Sequence, residues 1–553
     1  MSNSDERARR AIDRRRFLGG AAAGGAMAIA GSACPGLAAL ARRPAGVQGP
    51  PFELEEATIA DLQRRMETGQ ETSRSLVKKY LQRIDALDRS GPTLRQVLET
   101  NPDALAIADK LDTERRAKGA RGPLHGIPVL LKDNIGTADR MTTTAGSLAL
   151  EGSRPVRDAS IVGRLRDAGA VLLGKTNMSE WANFRSTHSS SGWSGRGGQG
   201  LNPYALDRNT SGSSSGSAAS VAASFTAVAI GTETDGSVVS PSNNNSIVGI
   251  KPTVGLVSRS GIVPIAHSQD TAEPMARTVT DAAILLGALA GVDPGDPATM
   301  IGGRHAPRDY ATLLDPNGLK GMRIGVARKG LFEHSPAADR IAEAAIADMK
   351  RLGATIIDPA DIPNIGQVDD AELDVLLYEF KSDLNAYLAD LGGGGPRSLE
   401  DLIAFNERNR DREMRYFGQE LFVRAQKKGP LTTPVYRQAL AKCRRLTRAG
   451  GIDAVMARHR LDALVAPTGS PPSLTDLANG DYGFSGTSTF PAVAGYPHIT
   501  VPAGYHFGLP VGISFFGRAF SEPALIRMAF AFEQATRHRK PPRFLPTAPL
   551  SEL

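Results

Sequence analysis

Cysteine is nearly absent, with two residues in 553, Cys34 and Cys443. Cys34 falls in a stretch that reads as a removable leader, so Cys443 stands alone in the mature chain. That excludes an intramolecular disulfide and a cysteine-based metal site. The nine histidines are scattered without an HxxxH or HExxH pairing, so the usual zinc-enzyme signatures are missing and no metal or other cofactor is expected. Aromatic residues make up 5%, and no lysine/arginine run is interleaved with them. Of the net charge of +7, the first 41 residues hold +3, which leaves +4 for the rest. So small an excess gives no nucleic-acid footprint. The long apolar runs of a polytopic membrane protein are missing too, as is any internal repeat. What is present is ordinary globular usage, 41% apolar and 22% charged. A chain of this length builds one large α/β domain or two to three smaller ones.

Asp13-Arg14-Arg15-Arg16-Phe17-Leu18 is a twin-arginine pattern. A weakly apolar Gly/Ala-rich run follows to about Ala33, and Ala39-Leu40-Ala41 offers a small-x-small cleavage site. Residues 1–41 are therefore expected to be a Tat-type export signal, which delivers the folded protein to the periplasm or outside the cell. The run is too short and glycine-rich for a membrane span, so no stable span is expected after signal removal. Residues 42–55 carry Pro and Gly and read as a linker.

Beyond the linker, apolar spacing switches between helical and strand periods. Thr58 and Thr72 precede helices with Ile59, Leu62 and Met66, and with Leu76, Tyr80, Ile84 and Leu87, on one face. Ile127–Leu131 and Ala170–Leu173 read as buried strands, with a helix opened by Asp158 and ended at Gly169 between them. Phe225–Ile230 is a further strand, followed by a polar, loop-rich segment to about Ser246. Residues 287–320 read as a connection, and about 335–460 as a charged helical insertion or cap. Ala463–Val465, Ile499–Val501 and Val511–Phe515 return to strands, and a last helix begins at Ser521 with Pro523 in its first turn. Such alternation predicts an α/β fold with a mixed, largely parallel central sheet flanked by helices on both faces.

Two motif matches mislead. Gly169 to Thr176 fits the P-loop expression, but its four middle residues form an apolar strand, and a strand cannot wrap a phosphate. Gly212-Ser213-Ser214-Ser215-Gly216 fits the GxSxG nucleophile elbow, yet Asn202–Thr210 before it is polar and contains a Pro where a strand is required.

Three other segments belong together. Gly126-Ile-Pro-Val-Leu-Leu-Lys132-Asp133-Asn134 puts a lysine at the end of an apolar strand. Ser211-Gly-Ser213-Ser214-Ser215-Gly-Ser217 leads into a small-residue helix, and Gly231-Thr-Glu-Thr-Asp235-Gly236-Ser237 makes a tight loop after a strand. Singly, a lysine after a strand is usually solvated and a Ser/Gly run is usually a flexible loop. Together, with Thr143–Ser147, Gly174–Asn177, Ser191–Ser194, Asn202–Tyr204 and Gly249–Thr253, they resemble the amidase signature family of serine hydrolases. The resemblance runs from about Glu56 to Pro542 and implies a single large domain over residues 56–545. It implies Lys132 as the catalytic lysine, Ser213 as a bridging serine held by a cis peptide bond, and Ser237 as the nucleophile. It places the oxyanion hole on the backbone N–H groups of Thr234, Asp235, Gly236 and Ser237.

The chemistry fits those residue types. A serine hydroxyl needs a base at neutral pH. Lysine serves only when neutral, and burial away from carboxylates would bring its pKa down from about 10.4. Lys132 would then draw a proton from Ser213 and Ser213 from Ser237, which attacks an amide carbonyl to give an acyl-enzyme. Preset oxyanion donors are worth about 3–4 kcal/mol each.

The loop departs from the common Gly-Thr-Asp-Thr-Gly-Gly-Ser-(Ile/Val)-Arg pattern at Glu233, Asp235 and Val239. In this it is similar to bacterial peptide amidases, which remove the C-terminal amide of peptides. Asn243-Asn244-Asn245-Ser246 departs from both, and Ser215 and Ser246 stand where glycine is usual. The expected partner is a small-molecule or peptide amide, with aryl amides, carbamates, esters and amino-acid amides as same-family alternatives. Export argues against a tRNA amidotransferase subunit, and the retained Lys132, Ser213 and Ser237 argue against an inactive binding protein. Nothing in the sequence sets an oligomeric state.

Overall fold

The computed structural model describes residues 51–550, apart from residues 308, 393–394 and 483–485. The expected leader, with residues 42–50 of the linker, lies outside the described residues. Thr58 and Thr72 each close a capping box at the start of helices Ile59–Glu67 and Ser73–Ile84. The side-chain oxygens satisfy N–H groups that the first turn leaves orphaned. Asp158 does not cap the next expected helix. That helix runs Ser160–Asp167 with Ala159 at its N-cap, while the Asp158 carboxylate takes the Ala138 N–H at 2.7 Å and pairs with Arg166.

The strands are β1 Val97–Thr100, β2 Pro128–Lys132, β3 Val171–Thr176, β4 Trp193–Ser194, β5 Gly198–Gln199, β6 Val228–Glu233, β7 Val248–Lys251, β8 Thr271–Ala276, β9 Arg323–Val326, β10 Thr355–Ile357, β11 Ala463–Pro467, β12 His498–His506 and β13 Leu509–Phe516. Eleven of them form one mixed sheet in the order β1-β3-β2-β6-β8-β7-β12-β13-β11-β9-β10, flanked by helices. β4 and β5 make a separate ribbon. Parallel pairing falls in two blocks, β3-β2-β6 and β11-β9-β10. The strands between those blocks, and the outer pair β1-β3, run antiparallel. Every residue of β2, β3, β6, β7, β8, β11 and β13 is buried, as strands covered on both faces require.

The segment expected to be helical over 335–460 is not uniform. Helix Pro336–Arg351 is followed by β10, a short Thr-Ile-Ile edge strand that pairs with β9. The helical cover proper begins at helix Asp369–Leu391 and continues through Leu399–Arg408, Arg410–Glu413 and Glu420–Gln426. Its Leu377, Phe380, Leu384 and Phe422 pack with Trp181, Phe184, Val263 and Ile265 from loops of the sheet domain. A buried ion network ties the same two parts together. Arg185 lies 2.8 Å from Glu180 and 3.7 Å from Glu413, and its guanidinium sits 4.4 Å from the ring of Phe417. Glu413 in turn accepts the Leu148 N–H at 2.6 Å.

Candidate active site

Parallel pairing sets the site. Leu131 of β2 faces Ile230 of β6, so the two strands end side by side, and their C-terminal ends are where α/β sheets place ligands. Lys132 closes β2 and is fully buried. Its Nζ donates to Ser213 Oγ at 2.7 Å, to the Thr232 carbonyl at 3.0 Å and to Thr232 Oγ1 at 2.9 Å. The carbonyl can only accept, so an N–H stays fixed there and the lone pair of a neutral amine is left for a hydroxyl. Burial brings the Lys132 pKa down to about 7. The expectation that no carboxylate stands near is not met: Glu273, Glu233 and Asp270 all act to raise it. Burial outweighs them at Lys132, and it also raises the pKa of each carboxyl in turn, that of Asp270 to about 6.

Ser213 follows a cis Gly212–Ser213 peptide. Gly212 is obligatory, since a side chain there would collide with Ser179 Oγ. The neighbouring hydroxyls are all committed to structure. Ser214 Oγ donates to the Thr232 carbonyl at 3.0 Å and accepts the Thr232 N–H at 3.2 Å, Ser215 Oγ donates to the Ser211 carbonyl, and Ser217 Oγ to the Ile230 carbonyl. Ser214 is thus a brace between segments, as the missing strand before GxSxG predicts. The P-loop match is likewise the buried strand β3.

Ser237 is almost buried, and its carbonyl takes the Ser214 N–H at 3.0 Å. Gly236 before it has φ +74°, and a Cβ there would press on Ser488 and Ser240. Among the described residues, no protein acceptor takes the backbone N–H groups of Thr234, Asp235, Gly236 or Ser237. Glu233 fixes the far side of this loop by accepting the N–H groups of Val238 and Val239 at 2.8 and 3.0 Å. Asp235 Oδ2 accepts from Thr489 Oγ1 at 2.8 Å, and Ser488 also hydrogen-bonds this buried carboxylate. Burial holds this carboxyl above its ordinary value; buried Glu372, which feels the Asp235 charge, is raised further.

Ser213 and Ser237 share the wall of a cavity of about 380 Å³. Ile262, Val263, Pro264 and Ile265 give it an apolar side, and Arg259, His267 and Asp270 a polar one. Ser237 also borders a polar cavity of about 360 Å³, into whose wall Asp235 and Gly236 are built. The hydrogen bond that His267 Nδ1 gives to the Asp383 carboxylate raises the His267 pKa. The Asn243–Ser246 departure serves structure. Asn243 Oδ1 takes the Gly512 N–H at 2.7 Å, Asn245 Nδ2 donates to the Thr210 carbonyl at 3.0 Å, and Ser246 Oγ pairs with Tyr505 OH at 2.7 Å.

Several contributors went unassigned at the sequence level. Thr232, inside the quoted loop, takes two of the three Lys132 bonds. Asn134 Nδ2 donates to Thr232 Oγ1 at 2.9 Å. Asp270 accepts from Thr234 Oγ1 at 2.5 Å and steadies the loop from β8's side. Thr232 and Asn134 sit within the motifs quoted above, and Asp270 within Ser268-Gln-Asp-Thr271, a further stretch similar to the bacterial peptide amidases.

A family model for Amidase matches residues 75–526. The Arabidopsis thaliana protein named "Probable amidase" is 48% identical over 503 residues, covering 89% of this chain and 93% of that one. The native peptide amidase from Stenotrophomonas maltophilia superposes with a TM-score of 0.85 at 53% identity, over 89% of this chain and all of that one. The same values hold for the peptide amidase PAM in complex with the competitive inhibitor chymostatin. With the sheet, the buried lysine and the serine-lined cavity in place, the chain belongs to the amidase family and is a hydrolase of amide C–N bonds.

Proposed function

We propose that the protein removes the C-terminal amide of peptides, or of similar small carboxamides, and releases ammonia through a Lys132–Ser213–Ser237 relay. The observation that carries this reading is the 2.7 Å bond from Lys132 Nζ to Ser213 Oγ, in the wall of the cavity that also holds Ser237. Neutral Lys132 takes a proton from Ser213 as Ser213 takes one from Ser237. Ser237 Oγ attacks the carbonyl carbon, and the oxyanion is met by the free N–H groups of Thr234, Asp235, Gly236 and Ser237. The relay returns the proton to the leaving nitrogen, the C–N bond breaks and ammonia departs. Water then enters by the reverse route and releases the acid. The likeness to a peptide amidase at 53% identity supports the peptide amide over the aryl amide, carbamate or ester. Asp235 in the cavity wall beside Ser237 supports it too, because a carboxylate there repels an acid and tolerates a neutral primary amide.

The twin-arginine stretch Arg14-Arg15-Arg16-Phe17-Leu18 supports export to the periplasm or beyond. Among the described residues no helix is long and apolar enough to cross a membrane. Fractionation of cells carrying the full chain and an Arg14→Lys/Arg15→Lys/Arg16→Lys chain tests this; equal partitioning of the two would refute it.

The activity test is ammonia release from an N-blocked dipeptide amide, with an anilide and an aliphatic amide beside it. Release lost in Ser237→Ala and in Lys132→Ala is the expected result. Cleavage of the anilide alone moves the substrate to aryl amides. Silence on all three, with no fluorophosphonate labelling of Ser237, favours a binding protein on this scaffold.

A further inference from the structure

The reaction cavity continues past its outer wall. Tyr387, Ser260 and Gly295 line it and also line a second cavity of about 510 Å³. That second space is bounded by residues 155–158 on one side and by Asp390 and Leu391 on the other. Tyr387 stands at the junction, near the end of helix Asp369–Leu391, and its buried hydroxyl has no partner. At the inner end, Asn134 is 3% exposed and lies in the wall of the first cavity. Its Nδ2 is spent on Thr232, and its Oδ1 has no partner. Unspent hydrogen-bonding groups therefore stand at the relay and again at the throat, with the apolar Ile262–Ile265 stretch along the same cavity.

A buried polar atom without a partner is costly unless a ligand supplies one. An extended peptide offers a donor and an acceptor at every residue, about 3.3–3.6 Å apart along the chain, with side chains left to meet apolar walls. A lone small amide would fill neither the throat nor the space beyond it. Arg157 and Asp390 in its wall form an exposed ion pair of the kind that holds weakly.

We infer that the cavity beyond Tyr387 is the distal part of the substrate groove and takes the residues of a longer peptide amide that lie N-terminal to the two nearest the amide. This rests on the peptide-amide reading above. It makes oligopeptide amides, rather than amino-acid or dipeptide amides, the preferred substrate class.

The test is kcat/KM for ammonia release from N-acetyl-alanine peptide amides of two to five residues. Wild type is compared with Tyr387→Phe and Val156→Trp. Val156 lies on the outer wall and is 74% exposed, so a large side chain there occupies the groove without touching the core. In wild type, kcat/KM rises with length by roughly tenfold, since remote binding energy is drawn into the transition state. Val156→Trp abolishes the ratio of long to short, and Tyr387→Phe lowers it several-fold through KM. Melting curves check that both variants fold. A wild-type kcat/KM that is flat from two to five residues overturns the distal groove, as does a length gain kept in both variants. Cleavage of the dipeptide amide in either case leaves the peptide-amide reading standing. Silence on every peptide amide instead removes that reading, and the groove with it.

Discussion

Two neighbouring strand ends carry buried lysines, and only one of them is proposed as a base. Lys132 ends β2, and Lys175 lies one residue before the end of β3, its parallel neighbour. Both are fully buried, and burial lowers both pKa values, to about 7 and about 8. Burial alone therefore does not make a catalytic base. The difference lies in what each Nζ meets. Lys175 gives its hydrogens to the Ile135 carbonyl and to Thr143 Oγ1, both at 2.7 Å and closed off by core, with Asp133 and Asp139 nearby to keep it charged. Lys132 meets a hydroxyl that opens onto a cavity, and carboxyls that are themselves pushed toward neutrality. A base needs a proton path as well as a lowered pKa.

The largest effect expected is on turnover. Ser237→Ala should cost roughly 10⁴-fold or more in kcat, and Lys132→Met on the order of 10²–10⁴-fold, with a near-native melting profile. Lys175→Met should leave per-molecule kcat within a few-fold of wild type, and comparable losses in the two lysine variants would break the contrast. The next effect is on pH. Lys132 must be neutral to act, and its neutral fraction grows as pH rises through about 7. The value of kcat/KM should therefore climb close to tenfold per pH unit below that point and level off above it. A profile flat from pH 5 to 8 would exclude Lys132 as the base.

Stability should show the reverse ranking. Lys175→Met leaves the buried Ile135 carbonyl and Thr143 hydroxyl without their donor, a loss of roughly 1–3 kcal/mol readable by urea unfolding. The smallest effect concerns selection. Asp235→Gly should narrow the preference for amide over free acid several-fold, measured as inhibition by the acid product. Unchanged inhibition would leave Asp235 with only a loop-shaping part.

Much of this contrast could be read from the residues. β2, β3, the Ser-rich helix and the loop before Ser237 announce themselves, because apolar runs end at Gly, Lys and Ser in fixed spacing. Strand β8 does not. Its Glu273 and Pro274 argue against an interior strand, and it is tolerated because burial raises the Glu273 pKa and Thr271 Oγ1 donates a hydrogen bond to its carboxyl. The segment from Gly231 reads as loop, yet its local turn hides helix Val239–Asn244, where Pro241 sits within the first turn and needs no N–H. Tyr387 approaches the cavity through tertiary packing alone, which no local pattern encodes. The split of 335–460 into sheet edge and cover turns on β10, three residues too short to stand out.

The Arg185 network gives the helical cover a definite mechanical character. A guanidinium sealed between two carboxyls and an aromatic ring cannot be uncovered and re-covered on each turnover, because every opening would strand a buried charge. The cover is therefore a fixed wall and not a door. Substrate and product are then expected to pass through a standing mouth, with no opening of the cover in the cycle.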